Sequence, residues 1–132
     1  MTERIKKRLA SEGGFTLIEL LVVIIIIGIL LAIAVPSYLN FRDNAANSAA
    51  QANVRAAVPS MEACFGDNST YVGCTAVKLK ASYDQGLATT GARAVTISGL
   101  TGTGYCISAQ GKTGTFWRKG GPGQDIVAGA TC

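Results

Sequence analysis

Between residues 20 and 35 the chain carries no charge and no polar side chain. Phe15, Leu17 and Ile18 extend this run towards the N-terminus, to about 21 residues broken only by Thr16 and Glu19. As an α-helix such a run is about 30 Å long, the thickness of a bilayer's hydrocarbon layer. No second stretch reaches the roughly 18 apolar residues that a span requires, so one span is the most the chain supports. Four consecutive isoleucines at 24–27 lower helix propensity in water. In lipid they do not, because the backbone must bond to itself there. Gly28 interrupts the run, and Pro36 removes a backbone donor and crowds the preceding turn, which predicts a kink at the membrane edge.

Beyond Pro36 the pattern becomes amphipathic. Tyr38, Phe41, Ala45, Ala49, Ala52, Ala56 and Ala63 recur at steps of three, four and seven, which predicts one apolar face. Arg42, Asp43, Asn47, Gln51 and Arg55 are assigned to the opposite side. An alanine stripe predicts close packing, and Pro59 is expected to bend the helix. The expected end lies at residues 64–66, before Gly66-Asp67-Asn68-Ser69. From residue 15 to residue 64 a straight helix would measure about 75 Å.

Residues 70–90 are of mixed character, with a short strand or turn expected at 76–79. Residues 92–98 and 104–110 alternate apolar and polar side chains, 113–119 contains Phe116 and Trp117, and glycine-rich turns separate these runs. That pattern predicts an antiparallel meander of three to four strands, followed by a glycine-rich tail over 120–132. The expected fold class is α+β, with one long N-terminal helix packed on a small antiparallel sheet.

Charge places this layout in a cell. Of the formal net charge of +4, the first 14 residues supply half, through Arg4, Lys6, Lys7 and Arg8 against Glu3 and Glu12. Lys6, Lys7 and Arg8 flank the front of the span, so by the positive-inside rule that end stays in the cytoplasm and the rest is exported. The later basic residues are scattered, which leaves no nucleic-acid footprint. With no histidine and no CxxC spacing among Cys64, Cys74, Cys106 and Cys132, a metal site is not expected. An even cysteine count in an exported small domain favours two disulfides, and four cysteines allow three connectivities.

Glu19 stands out, because a carboxylate at membrane depth is costly. It closes the sequence Gly14-Phe15-Thr16-Leu17-Ile18-Glu19, which follows a short basic leader and opens the apolar run. This arrangement resembles the processing site of type IV prepilins and of their relatives, the pseudopilins. The resemblance is strong over about residues 8–36 and covers only the general layout beyond.

The resemblance implies a cleaved leader over 1–14, a transmembrane and filament-core helix over 15–36, and an exported globular head over 37–132. It implies cleavage between Gly14 and Phe15 and N-methylation of Phe15. It gives Glu19 the task of neutralising the new amine on a neighbouring subunit. Gly28 and Pro36 would bound a soft segment that melts in the filament, an alternative to the simple kink. For the disulfides, Cys64–Cys74 would close a short loop at the helix end. Cys106–Cys132 would tie down the tail, as in the disulfide-bounded C-terminal loop of many pilins. The implied partners are copies of the chain itself, the membrane, a prepilin peptidase that also methylates, an inner-membrane platform protein and assembly ATPases. The implied localisation is a single pass in the cytoplasmic membrane, then an extracellular filament.

Other motifs carry less. Asn68-Ser69-Thr70 is a glycosylation triplet of a kind that arises by chance. Gly111-Lys112-Thr113 lacks the upstream glycine of a phosphate loop, since position 106 is cysteine. Asp67, Asp84 and Asp125 are isolated, a poor basis for a calcium loop. Neither a nucleophile–base pair nor a cofactor motif is visible, so no enzyme activity is expected. Two alternatives to a pilus subunit share parts of the pattern. A pseudopilin of a type II secretion system shares Gly14 to Glu19 in full. A secreted binding domain with a conventional signal peptide would be cut after Ala34, but Glu19 inside the apolar run argues against it.

Overall fold

The computed structural model describes residues 13–129 and 131–132. Most of the expected leader, including Lys6, Lys7 and Arg8, lies outside the described residues. The elements run α1 (Leu17–Asn68), α2 (Ala76–Ser82), β1 (Val95–Ser98), β2 (Cys106–Gln110), β3 (Phe116–Lys119) and β4 (Val127–Gly129). This is the expected α+β arrangement of a long helix and an antiparallel sheet. The chain divides into two compact units between Leu39 and Asn40.

The first unit contains the apolar part of α1. Its large side chains are exposed throughout, from 44% at Leu21 to 81% at Leu17. It is the one helix among the described residues long and apolar enough to cross a membrane. Burial of this surface must come from lipid or from other chains, because none of it is buried within the protein. Helical assignment continues through Gly28 and Pro36. Ser37 Oγ donates to the Ile33 carbonyl at 3.3 Å, next to the turn where Pro36 supplies no donor.

The second unit is built around the later part of α1. Its buried face comprises Ala46, Ala50, Val54, Ala57, Ser60, Met61 and Cys64. Apart from the adjacent Ser60 and Met61, these positions advance by steps of three and four, one face of a helix. The expected stripe is therefore displaced around the helix: Ala45, Ala52, Ala56 and Ala63 are exposed and Ala49 is half-buried. Alanines stand on both the buried and an exposed side of this segment, so their spacing alone does not single out the buried face. The larger Val54, Met61 and Cys64 decide it, because they bury more apolar area.

The helix continues past Pro59, which lies on an exposed side. Two local expectations change. The helix ends at Asn68 and not at 64–66. The residue that turns left-handed is Ser69, with φ 55°, and Asn68 Nδ2 donates to the Cys64 carbonyl at 2.7 Å. Residues 76–79, expected as a short strand or turn, belong to α2. Thr75 caps that helix by accepting Lys78 N–H at 3.4 Å, and Leu79 is fully buried in the core.

The sheet is antiparallel throughout, in the order β1-β2-β3-β4. Val95 pairs with Ala109 and Ile97 with Ile107, and Ala109 pairs with Trp117. These residues alternate onto the face that joins the core with α1, while Thr96, Ser108 and Arg118 pair on the other. The tail supplies β4 through Val127 opposite Arg118 and Gly129 opposite Phe116.

Candidate functional site

The residues singled out at the N-terminus occupy the entry to α1. Gly13 and Gly14 form no regular structure, and a Cβ built on either meets no atom within 4 Å. Phe15 is 87% exposed. The Gly14–Phe15 bond thus sits in irregular chain just ahead of the helix.

Thr16 starts the helix. Its hydroxyl accepts Glu19 N–H at 3.2 Å, and its carbonyl accepts Leu20 N–H at 3.3 Å. Thr16-Leu17-Ile18-Glu19 is the spacing of a capping box, which satisfies donors that a helix start leaves open. The expectations drawn from the sequence did not include this role for Thr16, although threonine three residues before glutamate is its signal. Glu19 is exposed and lies in the first helical turn, where the helix dipole favours a negative charge. The same residues therefore fix where the helix begins and hold a carboxylate at the head of an apolar rod.

The cysteines pair as Cys64–Cys74 and Cys106–Cys132, with Cα atoms 6.1 and 5.8 Å apart. The first bridge is fully buried in the core. The second bonds the last residue to β2, and Thr131 and Cys132 border a hollow with Thr96, Ser98 and Ser108.

A polar cluster that no sequence motif marked lies beside the buried bridge. Glu62 accepts Tyr71 OH at 2.9 Å and Tyr105 OH at 3.1 Å. The two rings meet edge to face with centroids 4.8 Å apart, and Phe65 stacks on Tyr71 at 4.5 Å. Burial, followed by the hydrogen bond and charge of Glu62, raises both tyrosine pKa values above their ordinary range. The cluster holds rather than reacts: it ties α1, the disulfide loop and β2 together through one carboxylate.

The family model for the prokaryotic N-terminal methylation motif matches residues 9–35. The type IV wide pilus major component PilA4 of Thermus thermophilus is 34% identical over 117 residues, 88% of this chain and 86% of that protein. The type IV major pilin protein PilA of Myxococcus xanthus is 41% identical over 68 residues, 52% of this chain and 31% of that protein. The type II secretion system core protein G of Pseudomonas aeruginosa is 37% identical over 61 residues, 46% of this chain and 43% of that protein. The chain thus spans less than half of the latter two relatives. No solved structure matches the chain.

Proposed function

The chain belongs to the type IV pilin family, and from that premise we propose that it is a structural subunit of a type IV pilus filament. The observation that carries this reading is an apolar helix, capped at Thr16 and marked by Glu19, whose side chains find no burial within their own chain. In the precursor that helix spans the cytoplasmic membrane with its N-terminus inside, as Lys6, Lys7 and Arg8 favour. A membrane-embedded peptidase cuts between Gly14 and Phe15 and methylates the new amine of Phe15. A platform protein and assembly ATPases then draw the subunit into a growing filament of its own copies. Apolar helices exchange lipid for one another in the filament core, while the disulfide-bonded heads face outward. The task is structural and needs no cofactor.

A second reading is a pseudopilin of a type II secretion system, favoured by the likeness to core protein G of Pseudomonas aeruginosa. Two measurements test the proposal together. N-terminal sequencing of mature protein should read Phe15 with an N-methyl group, whereas Val35 would indicate a conventional secretory cut. Electron microscopy of cells with and without the gene should show surface filaments containing this chain in the first only. Periplasmic material with no surface filament would turn the assignment to the pseudopilin.

A further inference from the structure

The head carries two open grooves on opposite flanks of one helical ridge, and Pro59 lines both. One groove, about 530 Å³, lies between α1 and the segment around residues 119–126. Arg55 and Lys119 line it, with Asp125 the single acid, so its balance is positive. Arg55 reaches Gln51, at 3.5 Å, and Lys119 donates to the Gln124 carbonyl; among the described residues neither cation meets a carboxylate. The other groove, about 410 Å³, lies between α1 and the chain after α2, and Asp84 lines it. Tyr83 lines it too and donates its hydroxyl to Asp67 at 2.8 Å, which draws a second carboxylate to that flank. Neither Asp67 nor Asp84 is paired with a cation among the described residues.

Two concave surfaces of opposite sign therefore stand back to back across a ridge of small side chains, Ala56 and Ala63 among them. Like surfaces would repel if two heads met face to face, whereas unlike surfaces attract and set orientation. A contact between two different patches of the same chain leaves one of each free at the ends, so it propagates instead of closing. We propose that the basic groove of Arg55 and Lys119 receives the acidic flank of Asp67 and Asp84 on a second copy of this chain. This inference rests on the pilin reading and deepens it: the apolar helices supply cohesion, and the heads supply register. Small residues on the ridge let the neighbouring backbone approach closely.

Two complementary variants test it in cells expressing the full chain. Arg55→Glu with Lys119→Glu makes both flanks acidic, and Asp67→Lys with Asp84→Lys makes both basic. Each alone should lower filament number by roughly tenfold or more, since like charges facing across an interface oppose assembly. Expressed together they should alternate and restore filaments to near the wild-type number. Disulfide bonding of the exported chain reports folding. Where reversal disturbs it, Arg55→Gln with Lys119→Gln gives the readout through fewer filaments whose assembly is less sensitive to salt. Wild-type filament number from any of these variants alone, or no rescue between two correctly bonded variants, overturns the interface but leaves the pilin reading standing. Absence of this chain from filaments of the wild type overturns both. Loss of nucleic-acid binding with filaments unchanged would reassign the basic groove.

Discussion

Tyr105 donates its hydroxyl to Glu62 at 3.1 Å, a bond between residues 43 positions apart that fastens the start of β2 to α1. Tyr105 is 2% exposed, so its hydroxyl has no alternative partner in water. Glu62→Leu should destabilise the head by about 1–3 kcal/mol, the cost of leaving a buried donor unpaired. Glu62→Gln keeps an acceptor and should cost less. Thermal melting of detergent-solubilised protein, followed by near-ultraviolet circular dichroism, distinguishes the two.

The same pair sets a pH dependence. Tyr71 and Tyr105 hold their protons in the fold to higher pH than in the unfolded chain. Above pH about 10 the unfolded state therefore binds fewer protons than the native one, and stability falls as pH rises. Below that pH both states hold the protons and the contribution is constant. Glu62→Gln keeps an acceptor but removes the charge that assists burial in raising both values, so its alkaline decline should be shallower. Equal slopes for wild type and variant between pH 9 and 11.5 would contradict this.

The two disulfides should differ in reactivity. Cys64 and Cys74 are both fully buried, whereas Cys132 is exposed at the chain end. Timed reduction under native conditions, followed by alkylation and mass spectrometry, should label Cys106 and Cys132 first. Once broken, the Cys64–Cys74 bridge should cost the fold about 3 kcal/mol in the chain-entropy account of a short loop. Early labelling of Cys64 would mean that the core opens more readily than its packing implies.

The turn between β2 and β3 docks on α1 through a backbone N–H and an ion pair, and the first should matter more. Asn47 Oδ1 accepts Lys112 N–H at 2.9 Å, and a Cβ at Gly111 would lie 2.4 Å from that oxygen and 3.1 Å from Asn47 Cα. Gly111→Ala must therefore displace the turn from the helix and should cost about 1–3 kcal/mol. The Lys112–Asp43 ion pair at 2.7 Å is half-exposed on both sides, so Lys112→Met should cost under about 1 kcal/mol. Urea denaturation of the two variants should rank them in that order.

Those contrasts show which parts of the fold were legible. The apolar rod and the first two strands were, because 16 residues without a polar group and a strict alternation such as Val95-Thr96-Ile97 each admit few structures, whereas β4 lay hidden in the glycine-rich tail. The buried face of α1 was not, since alanine costs little on either side and the deciding residues, Val54 and Met61, are few. The identity of α2 was hidden by the shortness of Ala76–Ser82, which leaves one cap at Thr75 and one core contact at Leu79 as its signals. At the N-terminal site the residues were legible but the role of Thr16 was not, because a lone threonine before an apolar run shows its capping role only once the start of the helix is fixed. Glu62 was unreadable: its partners come from Tyr71 and Tyr105, which only the tertiary fold brings together.

The last prediction concerns Glu19. It lies four residues after Phe15, about 6 Å along a helix axis. An incoming subunit displaced axially by about one turn would bring its Phe15 amine level with a neighbour's Glu19. Leaving either charge unpaired in an apolar core costs several kcal/mol, so the pair would set register as well as affinity. The residue belongs to the unit Met1–Leu39, and none of the core of the head lies in that unit. Glu19→Leu should therefore insert in the membrane and form both disulfides, yet yield few or no filaments. It keeps the Thr16 cap, because the bond there uses the backbone N–H of residue 19. Glu19→Asp should be intermediate, since it retains the charge with less reach. The readout is filament number by electron microscopy in cells whose sole pilin is the variant. Wild-type numbers from Glu19→Leu would reduce Glu19 to a carboxylate tolerated near the membrane interface and nothing more.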